Sequence, residues 1–313
     1  MKAIILKEPG GPENLIIAEL PVPVPKKDEV LVKVKAISIN PVDIKTRKGL
    51  AFYNTLKDDE PVILGWDIAG EVVQAGEDVT LLEEGDEVFG MINFPGHGKA
   101  YAEYVVAPAA QLAEKPELVS TQEAAAGTLA ALTAWQVLID EAKVQAGEKV
   151  LIHAAAGGVG HFAVQIAKYL GAFVIGTASE ANYDFVKELG ADDFADYNQQ
   201  KFEDVVKDAD VVFDTVGGGT SLRSLQALKE GGRLVAIAGG ITDEVKKLAE
   251  TRKIKASSYM VHSNGDDMEQ IAELMEAGTL KAYIFKEYSF EQMAEAHQQI
   301  ETGKTRGKIV IVL

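Results

Sequence analysis

The sequence predicts an α/β protein of two domains, a small β-barrel or sandwich-like domain with a parallel-sheet α/β domain inserted into it. Three observations predict this. Short segments with period-two alternation and closely set turn signals fill the first 120 residues. Beyond them, apolar strands alternate with helices, the pattern of a parallel sheet joined by crossovers. A last strand–helix–strand segment after residue 278 is too short to stand alone, so it returns to complete the first domain. The length of 313 residues agrees, at roughly 150 residues per domain.

Residues 2–6 and 29–37 alternate apolar and polar, the second segment very cleanly. Between them Pro21-Val22-Pro23-Val24-Pro25 reads as an extended connector, because proline lacks the N–H of a central strand. Residues 68–75 and 86–91 read as strands with glycine turns at Gly76 and Gly85, and 101–106 as another. Ser120 and Glu123 have the spacing of a capping box, and a helix is expected from there to about Ala142. Strands follow at 149–153, 173–177, 194–196, 210–214, 233–237 and 257–261, with helices at 160–170 and 183–189. The tail reads as strand 281–288, helix 290–301 and strand 308–313. The expected division is 1–121 with 279–313 for the first domain and 122–278 for the second. There is no internal repeat or low-complexity segment.

Composition excludes several functions. Hydrophobic residues make up 47% and charged residues 25%, ordinary for a globular chain. With no cysteine there is no disulfide, thiolate zinc site, iron–sulfur cluster or thiol nucleophile. The five histidines show neither i, i+4 pairing nor an H-E-x-x-H pattern, so no metal is expected. Against 31 Lys+Arg stand 48 Asp+Glu, and the net charge of −17 disfavours nucleic acid and anionic membrane surfaces. The apolar run at the N-terminus is too short for a signal peptide and nothing is long enough to span a membrane, so the chain reads as cytoplasmic.

The informative stretch is LIHAAAGGVGHFAVQIAKYLGAFVIGTAS, residues 151–179. A strand runs into a glycine turn and a helix starts there. Such a turn lets a pyrophosphate approach the unpaired amides at the positive end of the helix dipole. Ala155 holds the first glycine position, Gly157 and Gly160 the next two, and Gly158 is extra. Alone this pattern also fits a plain tight turn; the second strand ending about 20 residues on adds weight to a dinucleotide site. That second strand ends Gly176-Thr177-Ala178-Ser179, with no carboxylate to accept from a ribose 2′-hydroxyl. The small hydroxyls leave room for a 2′-phosphate and favour NADP over NAD. Glu180, one residue on, would repel that phosphate if turned inward.

Motifs along the whole chain carry a resemblance: INPVDIKTRKG at 39–49, ILGWDIAGEV at 63–72, AYAEYVVAP at 100–108, LAALTAW at 129–135, AAAGGVG at 154–160, DTVGG at 214–218, GRLVAIAG at 232–239 and TRGKIVI at 305–311. The chain resembles the medium-chain dehydrogenase/reductase superfamily in its zinc-free quinone oxidoreductase and enone (alkenal) reductase branch. The resemblance implies a GroES-like β-barrel domain built from both chain ends and an inserted Rossmann domain with a doubly wound parallel sheet. It also implies NADPH-dependent reduction of a quinone or of the activated C=C bond of an α,β-unsaturated carbonyl. Asn40 stands where zinc-dependent relatives place a zinc cysteine, and Gly65-Trp66-Asp67 where they have Gly-His-Glu.

By resemblance, Asn40 lies beside the nicotinamide ribose and Thr133 near the nicotinamide carboxamide. Gly157, Gly158, Val159 and Gly160 serve the pyrophosphate, and Thr177, Ser179 and Tyr197 the adenosine ribose and its 2′-phosphate. Relatives often carry a basic residue shortly after Ser179, where this chain has Tyr183. Arg306 and Lys308 in the tail are the candidate sources of that charge. Val216, Gly217 and Gly239 fall at carboxyl ends of strands, the edge where dinucleotides bind. For an enone the candidate proton donors are Tyr53, then Lys45, then water. Plainer readings stay open: a turn at Asn40-Pro41, a Thr133 hydroxyl bonded to its own helix, Tyr197 capping the sheet, Lys45, Arg47 and Lys48 as a solvated run, Trp66 as core, and His97 at the surface. A homodimer through residues around 232–262 is the expected assembly. The alternative function is a non-catalytic nucleotide-binding or structural protein of the same fold.

Overall fold

The computed structural model describes all 313 residues. Fifteen strands carry the fold: β1 (Lys2–Leu6), β2 (Leu15–Glu19), β3 (Glu29–Ile39), β4 (Asp67–Ala75), β5 (Glu87–Met91), β6 (Tyr104–Pro108), β7 (Ala113–Glu114), β8 (Lys149–Ile152), β9 (Phe173–Ala178), β10 (Asp193–Asp196), β11 (Ala209–Asp214), β12 (Leu228–Ala236), β13 (Lys255–Ser258), β14 (Ile284–Ser289) and β15 (Lys308–Val312). The chain divides into two compact units, residues 1–132 with 262–313, and residues 133–261.

In the first unit β3 is the central strand. It pairs antiparallel with β4, β6 and β15, and the seven-stranded sheet runs β14-β15-β3-β4-β5-β7 with β6 on β3. Flanked on both sides, β3 buries alternate residues Val32, Val34 and Ala36 with Lys33 turned out, and from Ala36 to Ile39 it is buried on both faces. The β1–β2 hairpin joins it through Ile4 N–H to Tyr101 O and Leu6 N–H to Val62 O, both 2.8 Å. The tail completes this sheet. Ile39 lies opposite Ile309 and Ala36 opposite Val312, so residues some 270 apart in sequence are neighbours in the ladder.

The second unit is a six-stranded sheet in the order β10-β9-β8-β11-β12-β13, every pairing parallel. Counted from its own first strand this is 3-2-1-4-5-6, the Rossmann order, with the switch point between β8 and β11. Leu151, Ile175, Val212 and Leu234 form one layer of its core with Val245 and Ala249 of the helix Asp243–Thr251.

The structure moves several expected boundaries. Helices Thr121–Ala126 and Gly265–Glu276 belong to the first unit; the former buries Ala124, Ala125 and Ala126. The expected helix to Ala142 is interrupted at Gly127, where Thr128 Oγ donates to Ala125 O, and resumes at Leu129. The strand expected at 257–261 ends at Ser258, and the one at 101–106 shifts to Tyr104–Pro108, because Tyr101 turns inward. β2 was not expected: its Ile16 and Ile17 are both exposed, so it shows no alternation. Ile311 is fully buried and Leu313 is not. Ile311→Ala should therefore cost about 2–5 kcal/mol and Leu313→Ala no more than about 0.5 kcal/mol, read as shifts of the urea midpoint.

Candidate functional site

The register of the first sheet gathers three polar residues at neighbouring strand ends. Asn40 follows β3, Lys308 opens β15 and Asp67 opens β4. Asn40 is 2% exposed, Lys308 3% and Asp67 0%. The Asn40 Nδ2 donates to Asp67 Oδ2 at 2.8 Å, and its Oδ1 accepts from the Lys308 ammonium. Lys308 also donates to Ile39 O at 3.3 Å and lies 3.8 Å from Asp67 Oδ2. The other Asp67 oxygen accepts the Leu129 N–H at 3.0 Å. Burial pushes the Asp67 carboxyl up and the Lys308 ammonium down, and the attraction between the two opposes both shifts.

Asn40 is also the N-cap of the helix Pro41–Arg47, with proline at the first helical position where no N–H is needed. Its own N–H donates to Asp43 Oδ2 at 2.7 Å. From Asp43 a buried chain of hydrogen bonds leads away, with a polarity set by its far end. Arg47 can only donate, so His297 Nδ1 accepts from it (3.3 Å). The His297 Nε2–H then donates to the Tyr101 hydroxyl (3.0 Å), which donates to Asp43 Oδ2 (3.0 Å). Arg47 ends on Gly10 O and Glu301. Asp43 Oδ1 is buried without a partner. Burial holds Asp43 up at about 7, against the hydrogen bonds from Asn40 and Tyr101. Burial, then the charge of Arg47, holds His297 down at about 3, so its ring is neutral.

In the second unit the turn after β8 leads into the helix Gly160–Tyr169. A Cβ on Gly160 would stand 2.1 Å from Ala154 O and 2.8 Å from the Ala155 Cα, so only glycine lets the helix start this close to the strand end. The Gly157 N–H donates to Ala154 O at 2.8 Å. The Gly158 and Val159 amides are left as donors at the mouth of the helix, so the turn fits a pyrophosphate through them rather than through Gly157. His153 is buried beneath the turn: its Nδ1 meets the Thr177 hydroxyl at 3.1 Å and its Nε2 the Ser224 hydroxyl at 2.9 Å. Burial lowers it to about 4. At the next strand end Asp214 Oδ1 accepts the N–H groups of Val216 and Gly217, both at 2.9 Å, and its Oδ2 takes Ser221 Oγ. Gly217 has φ +78°, and a Cβ there would sit 2.2 Å from Ala238 O.

The expected residues therefore sort as follows. Ser179 and Tyr197 come together at the tips of β9 and β10, where Tyr197 N–H reaches Ala178 O (3.3 Å) and its ring is 58% exposed. Ser179 Oγ accepts from Asn182. Tyr183, in place of a basic residue, is exposed and packs edge-on against Phe194. Thr177 is buried and engaged with His153, so it supports the turn from below instead of facing a ribose. Val216 is exposed and Gly239 has φ +71°; the Val216 and Gly217 amides are taken by Asp214 and so are not free donors. Thr133 is buried at the start of the second unit. Tyr53 is half-buried at the start of the short helix Tyr53–Leu56, Lys45 is exposed on the helix after Asn40, and Arg306 is half-buried.

One expectation is corrected, and two of the plainer readings fall. Lys308 is no source of charge for a 2′-phosphate, because its ammonium is enclosed by Asn40, Asp67 and Ile39. Arg47 is not part of a solvated run: it is fully buried, while Lys45 and Lys48 beside it are exposed. Asn40-Pro41 is a helix start and not a mere turn. Trp66 is core, 0% exposed, with Phe52 and Phe94 edge-on to its ring. Sequence reasoning missed Asp43, Tyr101 and His297, which have polar residues near them in sequence and give no local sign of burial; the spacing Asn40-x-x-Asp43 was the one available signal, that of a capping box.

Comparison with known proteins agrees with this architecture. Residues 26–117 match the alcohol dehydrogenase GroES-like domain and residues 189–311 the zinc-binding dehydrogenase family. The chain is 35% identical over 321 residues to 2-methylene-furan-3-one reductase of Solanum lycopersicum, covering 99% of this chain and 79% of that protein. It is 33% identical to the chloroplastic NADPH-dependent alkenal/one oxidoreductase of Arabidopsis thaliana, with the same coverage. The structure of the quinone oxidoreductase from Coxiella burnetii superposes with a TM-score of 0.95 at 38% identity, over 100% of this chain and 99% of that one. The chain belongs to the medium-chain dehydrogenase/reductase family, in its quinone oxidoreductase and enone reductase branch.

The zinc implied by one family description does not fit these residues. The Asn40 oxygen takes an ammonium, Asp67 takes the Asn40 amide, and Trp66 offers only an N–H, itself bonded to Gly96 O at 2.8 Å. No group of three His, Cys, Asp or Glu side chains converges to hold a metal.

The buried chain generates a pH prediction. Asp43 binds its proton more tightly folded than unfolded, so its contribution to stability is lost as pH rises from 3.8 to about 7. His297 has the opposite sign: its contribution is lost as pH falls from 6.5 to about 3. Asp43→Asn should gain Tm relative to the parent as pH rises toward 7, and His297→Gln as pH falls below 6.5. Stepped-pH melting curves of parent and variants test both slopes.

Proposed function

We propose that this chain reduces a quinone, or the activated C=C bond of an α,β-unsaturated carbonyl, by hydride transfer from NADPH and without zinc. The observation that carries the reading is the glycine turn after β8, with free amides at the helix mouth and no carboxylate at the tip of β9. The full-length likeness to an alkenal/one oxidoreductase named as NADPH-dependent, and to a quinone oxidoreductase, supports it.

When bound, NADPH supplies the hydride; the chain's own residues bind and orient it. Gly158 and Val159 offer amides to the pyrophosphate. Ser179 and Tyr197 take the 2′-phosphate end, and Arg306 is the tail candidate left once Lys308 is excluded. Asn40 and Thr133 serve the nicotinamide end. For an enone, hydride addition at the β-carbon leaves an enolate that needs a proton at the α-carbon and charge stabilisation at oxygen. Tyr53 is the donor in this reading, with Lys45 second. A quinone needs no dedicated acid, because its reduced anion is stable enough to take a proton from water.

The same reading makes the chain a cytoplasmic homodimer, joined along the exposed edge strand β13, where Met260 beyond its end is also exposed. Light scattering at micromolar concentration checks this, and a monomeric mass removes it.

Loss of NADPH absorbance with phenanthrenequinone and with a small enone is the direct assay, NADH serving as the control for cofactor choice. Turnover of either acceptor with NADPH is expected; oxidation of NADPH by neither defeats the reading. Tyr53→Phe should lower kcat on the enone roughly a hundredfold and leave the quinone rate within about twofold. Equal loss on both removes the proton-donor role.

A further inference from the structure

Lys308 is a charged side chain wholly inside the first unit, and the reaction as described gives it nothing to do. Its surroundings limit what it does. The Asn40 carboxamide lies between a cation and an anion: Oδ1 toward the Lys308 ammonium, Nδ2 toward Asp67. Flipping it by half a turn would set two donors against each other at Lys308 and two acceptors at Asp67. The carboxamide therefore has one permitted orientation. Asp67 cannot swing away, since its second oxygen is held by the Leu129 N–H. Lys308 cannot either, since Ile39 O takes another of its protons. On Nδ2 the carboxamide keeps a second N–H beyond the one given to Asp67.

A buried ion pair is weak evidence for stability, because well-packed apolar residues of the same volume often serve as well or better. Here the pair encloses Asn40, a polar side chain that the resemblance places beside the nicotinamide ribose. The donor set next to Asn40 does not fit a metal, and an ammonium stands there instead.

We propose that Lys308 is a positioning residue for the NADPH reaction: a built-in ammonium in place of a metal that, with Asp67, clamps the Asn40 carboxamide in the orientation that meets the cofactor's ribose. The proposal rests on the functional reading above. Lys308 acts through Asn40, so the two residues must be coupled.

A double-mutant cycle tests that coupling, with NADPH Kd from the fluorescence of the bound cofactor and KM and kcat on a quinone. Asn40→Ala and Lys308→Met should each raise NADPH Kd and KM about tenfold, the loss of one good hydrogen bond at the cofactor. Lys308→Met combined with Asn40→Ala should be no worse than Asn40→Ala alone. Multiplying losses would overturn the proposal, because Lys308 would then act independently of Asn40.

Lys308→Met alone strands the Asp67 charge, so the cycle is repeated with Lys308→Met/Asp67→Asn, which removes both charges together. That variant should match or exceed the parent in Tm yet keep the raised NADPH Kd. Parent-like NADPH binding in it would overturn the clamp. Zinc ions added to the parent should move neither Tm nor Kd; a zinc-induced rise in Tm that Asn40→Ala abolishes would also overturn it. A parent that binds no NADPH defeats the functional reading and this proposal together. A parent that binds NADPH with an additive cycle defeats this proposal alone.

Discussion

The antiparallel register between β3 and β15 is the constraint on which the polar centre of the first unit depends. With Ile39 opposite Ile309, the residues just beyond them, Asn40 and Lys308, come level, and β4 brings Asp67 to the same end of the sheet. A shift of one residue in this ladder would turn Lys308 to the other face and bury a charge without a partner. The apolar residues of β15, Ile309, Val310 and Ile311, are all buried and resist such a slip. Hydrophobic packing thus sets the register, and the register sets the electrostatics.

The two units treat buried polarity by the same rule. In the first, a line of hydrogen bonds from Arg47 through His297 and Tyr101 to Asp43 has a single polarity, because Arg47 has no acceptor to offer. In the second, His153 is held by two hydroxyls below the glycine turn, and Asp214 gathers two backbone amides and a serine. Each group satisfies most of its bonding capacity inside the protein, which is the condition for keeping polar atoms out of water. Asp43 Oδ1 is the exception, and it belongs to the carboxyl that burial leaves titrating near neutrality.

Much of this was legible in the sequence, for reasons that differ by residue. The alternation of 29–37 and the apolar runs of 149–153 and 210–214 come from burial on one or both faces, a local property that leaves a local pattern. Gly160 was legible because the close approach to Ala154 admits no side chain. Arg47 was not, because it sits in a run, KTRK, in which only one basic residue in three points inward. Lys308 was visible as a cation but not as a buried one, because its partners lie 268 residues away and only the tertiary pairing of β15 reveals them. Tyr101 and His297 are 196 residues apart, and neither carries a local sign of the other.

The order in which the chain is made gives the inserted arrangement a further meaning. Domains generally fold as units as they emerge during synthesis. The second unit has all six of its strands once Ser258 has been added, whereas the first unit waits for β15. Until then Asn40 has no ammonium to accept from, and Asp67 has no counter-charge. The pocket of charge around residue 40 is therefore the last part of the protein to mature, although residue 40 is among the first to be made. A nascent chain stalled before residue 308 would carry a complete parallel sheet while the polar centre around residue 40 is still unfinished.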